Sequence, residues 1–329
     1  MLAVHADWSI DARKRWMVRA HGRPGHWRLG PPEPVGDPSS LLARLRADAG
    51  NDPVALGVDF PIGLPRAYAA AAGVDHFPTF LAGLTATEAF FEVCERLDQI
   101  SLARPFYPRR PTAGMRRAAH ATALGLAGPA ALSRACDRAT ATRPAGAPLF
   151  WTLGANQTGK AAISAWRELL LPAIATDTPP LLWPFAGDFR ALLGPGRTVI
   201  AETYPAEALR QLGLRLPGSK RRQPDRRALA PALAARLATL GARPDPALRA
   251  AIDDGFGADP PGEDRLDCLL GLMSVLLVLA GQRPDTAPPD PAIRRIEGWV
   301  LGQTDLPTPP HPHNPPVGNP CPHPPPVVA

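Results

Sequence analysis

The chain has 329 residues, 45% of them apolar, which allows one large domain or two ordinary ones with a normal core. Its net charge of +6 and pI near 9.6 are compatible with a polyanionic partner without demanding one, because Arg outnumbers Lys in the manner of a GC-rich genome. The four cysteines (Cys94, Cys136, Cys268, Cys321) form no CxxC pair, the N-terminus has no signal-peptide pattern, and the apolar run Cys268 to Ala280 is shorter than the roughly 20 residues of a membrane helix, so a disulfide scaffold, a zinc site and a membrane protein are excluded and a reducing cytoplasm fits best.

Leu2 to Ser9 alternates as a strand, with Asp7 near its end. Asp11-Ala12 turns the chain into a hairpin partner, Arg15 to Ala20, and Gly25 to Leu29 gives a weaker third strand. After a loop from Pro31 to Pro38, Ser39 or Ser40 caps a helix running to about Ala49, with Leu41, Leu42 and Leu45 on one face. Val54 to Pro65 (VALGVDFPIGLP) reads as a central strand that ends in Asp59, because Pro61 cannot donate to a sheet ladder. The order to this point is β-β-β-α-β.

Residues 66 to 196 read as a helical insertion that covers the sheet, with helices expected at Thr79 to Cys94, Pro129 to Thr140 and Thr158 to Ala173. Leu181 to Phe185 is a short strand, and Thr198 to Glu202 a good one, followed by a helix from Pro205 to Leu212. Helices follow at Asp225 to Leu240, Pro246 to Asp253 and, the strongest, Glu263 to Ala280, ended by Gly281. Arg294 to Leu301 is a short final element. From Gln303 to Ala329 Pro dominates, and a disordered or PPII-like tail is expected.

Acids recur where elements begin or end. Asp7 closes the first strand, Asp59 the fourth, and Asp264 and Asp267, three apart on one face, open the last helix. Each also has an ordinary role, in a turn or against a helix dipole. Glu263 reads as a solvent-facing N-terminal acid. Together, carboxylates from distant segments suggest a site for a hard cation, Mg²⁺ or Mn²⁺, suited to two-metal phosphodiester hydrolysis. Glu202 ends the next strand and is equally a fifth ligand or a helix-start acid beside Pro205.

The strand with Asp7, GVDFPIGLP, AETYPAE at Ala201 to Glu207, GEDRLDCLLGLMSVLLVLAG and EGWVLG resemble the DUF429 family, predicted nucleases of the RNase H-like fold. The resemblance implies an α/β protein with an RNase H-like mixed five-stranded sheet flanked by helices, the large insertion following strand 4. It implies a carboxylate on the first strand, one on the fourth, and one or two on the last helix. Asp7, Asp59 and Asp267 are thus the expected catalytic and metal-binding residues, with Asp264 and Glu202 supporting. The expected activity is metal-dependent nuclease. The alternative is an inactive RNase H-like protein that binds nucleic acid or a nucleotide.

Two basic clusters, Arg104 to Arg117 (with Arg109, Arg110 and Arg116) and Arg215 to Arg227 (with Arg221 and Arg222), are either solvated surface or a nucleic-acid backbone patch. Phe106 and Tyr107 either stack on bases or pack. Lys160, one of three lysines, follows Gly159 but precedes Ala161, so it is no P-loop and at most a phosphate contact at a helix start. His311, His313, Cys321 and His323, set loosely in proline, suggest adventitious metal binding only.

Overall fold

The computed structural model describes residues 1–111, 115–154 and 158–307. The tail histidines and Cys321 lie outside the described residues. One mixed, eight-stranded sheet organises the chain: β1 (Leu2–Asp7), β2 (Trp16–Arg23), β3 (His26–Leu29), β4 (Glu33–Pro34), β5 (Val54–Val58), β6 (Leu181–Leu182), β7 (Thr198–Glu202) and β8 (Ala242–Pro244). The order is β6-β7-β5-β1-β2-β3-β8, with β4 paired to β2. β1, β2 and β3 pair antiparallel, while β5 lies parallel to β1 and β7 parallel to β5. The five longer strands are those expected from the sequence. The expectation of only five is corrected: β4 and β8 are two- or three-residue pieces too short to leave a periodic signal, and the short strand expected from Leu181 joins the sheet as the two-residue β6.

The helices are α1 (Pro38–Ala49), α2 (Arg66–Ala72), α3 (Phe77–Gly83), α4 (Arg117–Ala123), α5 (Thr158–Ala165), α6 (Leu171–Ile174), α7 (Phe189–Leu192), α8 (Pro205–Gln211), α9 (Gln223–Thr239), α10 (Pro246–Asp253) and α11 (Gly262–Leu279). Three expectations are corrected. α1 is capped by Asp37, whose carboxylate accepts from the Ser39 amide, because Pro38 at the first turn has no N–H to offer. The helix expected over Thr79 to Cys94 stops at Gly83, where Leu84 turns extended, and only a 3₁₀ turn, Ala89–Phe91, follows. Pro129 to Thr140 forms two 3₁₀ turns instead of a helix, because Asp137 folds back onto the Arg134 amide and guanidinium.

Strand alternation sorts the two faces. Leu2, Val4, Ala6, Val54, Leu56, Val58 and Ile200 share one core with α1 and with the insertion's Tyr68, Phe77, Phe150 and Trp166. Ala3, Ala55, Val199 and Ala201 share the other with α9, α10 and α11. Both faces of β1 and β5 are buried, so those strands read as continuous apolar runs. Gln303 and Asp305, at the start of the compositional tail, are tied down: Trp299 Nε1 donates to the Gln303 carbonyl at 3.0 Å, and Thr142 hydrogen-bonds the Asp305 carboxylate.

Two sequence signatures are explained by one crossing. Gly63 (φ +143°) and Gly298 (φ +69°) face each other's segments, and a Cβ on either would lie 2.0 Å from a carbonyl oxygen, of Glu297 or Ile62 respectively. The Leu64 amide donates to Ile296 O at 2.8 Å across the same contact. The IGLP and EGW stretches are therefore two backbones in van der Waals contact where only glycine fits.

Candidate metal centre

Register alone brings the first two acids together. Ala6 pairs with Val58 in the parallel β1–β5 ladder, so Asp7 and Asp59 leave neighbouring strand ends side by side. Alternation sends Asp7 to the face of Ala3 and His5, which α11 covers. Asp59 Oδ1 accepts from the Trp8 amide at 2.6 Å, which locks the two strand ends. The residues that follow are anchored in the insertion: Trp8 Nε1 donates to Ser164 Oγ at 2.9 Å, and Trp166 Nε1 to Pro61 O at 2.8 Å.

α11 can approach because glycine faces histidine. A Cβ on Gly271 would lie 2.2 Å from His5 Nε2, and one on Gly57 would lie 2.7 Å from Val275 Cγ2. His5 is fully buried with no partner on either ring nitrogen, and burial pushes its pKa down to about 3, so it packs as a neutral ring. This close approach delivers Asp264 and Asp267, from the first two turns of α11, to the strand ends.

The four acids act on one another. Burial raises Asp7 well above the usual carboxylate range, and the charges of Asp59, Asp267 and Asp264 raise it further. Burial pushes Asp59 up to about 7. The hydrogen bond between the two carboxyls raises Asp7 and lowers Asp59, so the two titrate as a pair. Burial and then Asp267 push Asp264 up to about 6. Burial also raises Asp267, against the pull of Lys220. Lys220 was not among the expected site residues. Its ammonium hydrogen-bonds Asp267 Oδ2 and lies 3.5 Å from Glu263 Oε1, and these charges outweigh burial and raise its pKa.

Glu202 is placed differently. Alternation turns it to the face of Ile200, away from Asp7. There the fully buried Arg134 grips it with two bonds, of 2.6 and 2.7 Å, and grips Asp137 with two more, of 2.9 and 3.0 Å. The Ile62 amide adds a fifth bond, of 2.9 Å, to the Glu202 carboxylate. Among the described residues, Cys136, Asp137 and Glu202 are the one group of three potential ligands whose atoms all lie within 4.8 Å of one another. Arg134 supplies a cation to Glu202 and Asp137 in this group, which lies on the face of the sheet away from Asp7. A cavity of about 40 Å³, room for one or two waters, separates this cluster from Asp59 and is also lined by Arg143 and Tyr204.

The basic residues divide as well. Arg109, Arg110, Arg221 and Arg222 are 68–74% exposed in their side chains, with only loose acid contacts at 3.4–3.7 Å to Glu95, Glu263 and Asp225. Arg116 is exposed at the start of α4, and Lys160 is half-buried in the first turn of α5. Phe106 and Tyr107 are buried in the core, so base stacking by them is ruled out.

Oxygen donors from β1, the end of β5 and α11, gathered at the carboxyl edge of a mixed sheet, define an α/β protein with an acid-rich centre. The chain belongs to the DUF429 family, described as protein of unknown function, which matches residues 7–292. That span starts at Asp7 and contains Asp59, Lys220, Asp264 and Asp267. No curated protein and no solved structure matches the chain. No helix among the described residues is long and apolar enough to cross a membrane.

Proposed function

We propose that the protein is a divalent-metal-dependent nuclease of the RNase H-like class, with Asp7, Asp59 and Asp267 as ligands for Mg²⁺ or Mn²⁺ and Asp264 beside them. The observation that carries this is the convergence of four mutually repelling carboxyls from three elements, each with a pKa raised by burial and most of them further by one another. Two further features support a fit to a hard cation. The acids offer only oxygen donors, and Asp267 Oδ1 is buried without a hydrogen-bond partner. The chain order β1, β2, β3, α1, β5, β7, α11 supports the RNase H-like class.

When bound, a divalent ion supplies an activated water and stabilises charge on a phosphoryl oxygen. The chain's own contribution is positional. The Trp8 amide fixes Asp59, and the Gly271–His5 contact fixes the depth of Asp267. Asp59, ionising near 7, is the group able to hold or release a proton at neutral pH. The exposed Arg109, Arg110, Arg221 and Arg222 supply cations for a nucleic-acid backbone. Purified protein with Mn²⁺ is expected to cleave structured DNA or RNA, and Asp59→Asn to abolish cleavage. Full activity in that variant would sink the assignment.

One observation favours a second reading, a metal-free nucleic-acid-binding protein: an ammonium already sits on Asp267. Calorimetry separates the two, since a metal-free protein gives no heat with Mn²⁺.

A further inference from the structure

Lys220 reaches the acid centre by construction. Its carbonyl accepts from Arg226 Nη1 at 2.5 Å, and the buried Arg226 also donates to Gly255 O at 2.7 Å and Gly257 O at 2.5 Å. The Ser219 amide donates to Asp225 Oδ2 at 2.8 Å. Gly218 lies so close that a Cβ there would be 2.3 Å from the same oxygen, and one on Gly262 would be 2.4 Å from Arg226 Nη2. The loop carrying Lys220, the start of α9 and the start of α11 are thus one clamped unit. The ammonium feels Asp267, Glu263 and Asp7, and acts in turn on Asp59 and Asp264.

We propose that Lys220 is a built-in counter-ion that holds the cation position on Asp267 and must yield it for a divalent metal to load. This rests on the metal-centre reading above. The lysine is an incomplete substitute. The cations near the five acids, Lys220 with Arg221 on Glu263 and Lys14 acting on Asp264, are outnumbered, and Asp267 Oδ1 stays unpartnered while Oδ2 is held. A divalent ion carries more charge and can take the oxygen the ammonium leaves. As the structure stands, Asp7, Asp59 and Asp267 do not close into a compact trio of ligand atoms. Displacing Lys220 frees Asp267 to complete the set.

The test is a calorimetric Mn²⁺ titration of wild type, Lys220→Met, Lys220→Arg and Gly218→Ala, with thermal melts in EDTA to show that each is folded. Lys220→Met is expected to bind Mn²⁺ at least ~10-fold more tightly than wild type, the scale on which one nearby opposite charge shifts a carboxylate. Lys220→Arg keeps the charge and is expected to bind no more tightly than wild type. Gly218→Ala displaces the loop from Asp225 and is expected to tighten binding by a smaller factor, which carries the test if Lys220→Met does not fold without metal. Equal or weaker binding by Lys220→Met overturns the role of Lys220 and leaves the metal centre standing. No heat from any protein overturns both.

Discussion

Asp59→Asn is the most informative single change, because its effect on stability must grow with pH. Asp59 is buried and its pKa is raised from 3.8 to about 7. A carboxyl whose folded pKa lies above its unfolded value stabilises the fold at low pH and loses that contribution as pH rises through the folded pKa. The three-unit rise corresponds to at most about 4 kcal/mol of destabilisation once Asp59 is ionised. Asn removes that cost. It keeps an oxygen for the Trp8 amide and gives up the charge assistance, worth about 1 kcal/mol. At pH 5 the folded carboxyl is protonated but the unfolded one, with its pKa at 3.8, is ionised, so Asn already gains up to about 2 kcal/mol there, less than it gains above pH 7. At pH 8 in EDTA the variant should gain on wild type by roughly 1–3 kcal/mol, or a few degrees in melting temperature for a chain of this size. Melts at the two pH values, in EDTA and in Mn²⁺, measure it. Mn²⁺ should raise the wild-type melting temperature at pH 8 and leave the variant unmoved. A difference between the two proteins that is the same at pH 5 and pH 8 would refute the idea that burial holds this acid protonated.

The remaining predictions concern what holds the centre in place and what it binds. Gly271→Ala puts a methyl 2.2 Å from His5 Nε2 and should cost roughly 1–3 kcal/mol in urea denaturation; the double variant with His5→Ala should recover part of that. Arg134→Met strands the buried Glu202 and the half-buried Asp137 and should cost about 3–5 kcal/mol, much less when combined with Asp137→Asn and Glu202→Gln. If Arg221 and Arg222 contact a nucleic-acid backbone, replacing both with Ala should lower the slope of log affinity against log salt by about 2. An unchanged slope in a filter-binding titration would return them to ordinary solvated surface.

The fold was legible where periodicity was long or punctuation strong. β5 is an unbroken apolar run, β1 and β7 are mostly apolar, and α9, α10 and α11 match their expected spans closely because each has a proline start or a long apolar face. What failed were short pieces whose geometry is set by distant partners. β8 exists because Gly241 and Ala242 lie against Gly25 and Trp27, a contact no local pattern encodes. The missing helix at Pro129 to Thr140 has a similar cause. The sequence PAALSRACDRAT permits a helix, but Arg134 pairs with Glu202, 68 residues away, and the backbone bends into two tight turns to deliver it.

The acids show the same division at the level of the site. That a strand-end Asp before a proline marks the carboxyl edge of the sheet was readable from VDFP, and Asp7, Asp59 and the α11 acids lie near enough there to act on one another's charge. Which acid meets a cation from the protein itself was not readable. Glu202 satisfied every strand-end criterion, yet one step of alternation turned it toward Arg134. Both faces of β7 are buried, so only the register, with Glu202 opposite Val58 and Val58 opposite Ala6, separates its face from that of Asp7. Lys220 left only a trace, as one of three lysines in a chain that otherwise uses Arg. Arg's planar fork suits the bidentate clamp that Arg134 makes. A compact ammonium suits a single carboxylate oxygen, as the proposed exchange for a metal requires. The chemistry of the cation, more than its place in the sequence, thus distinguishes a permanent structural pair from a displaceable one.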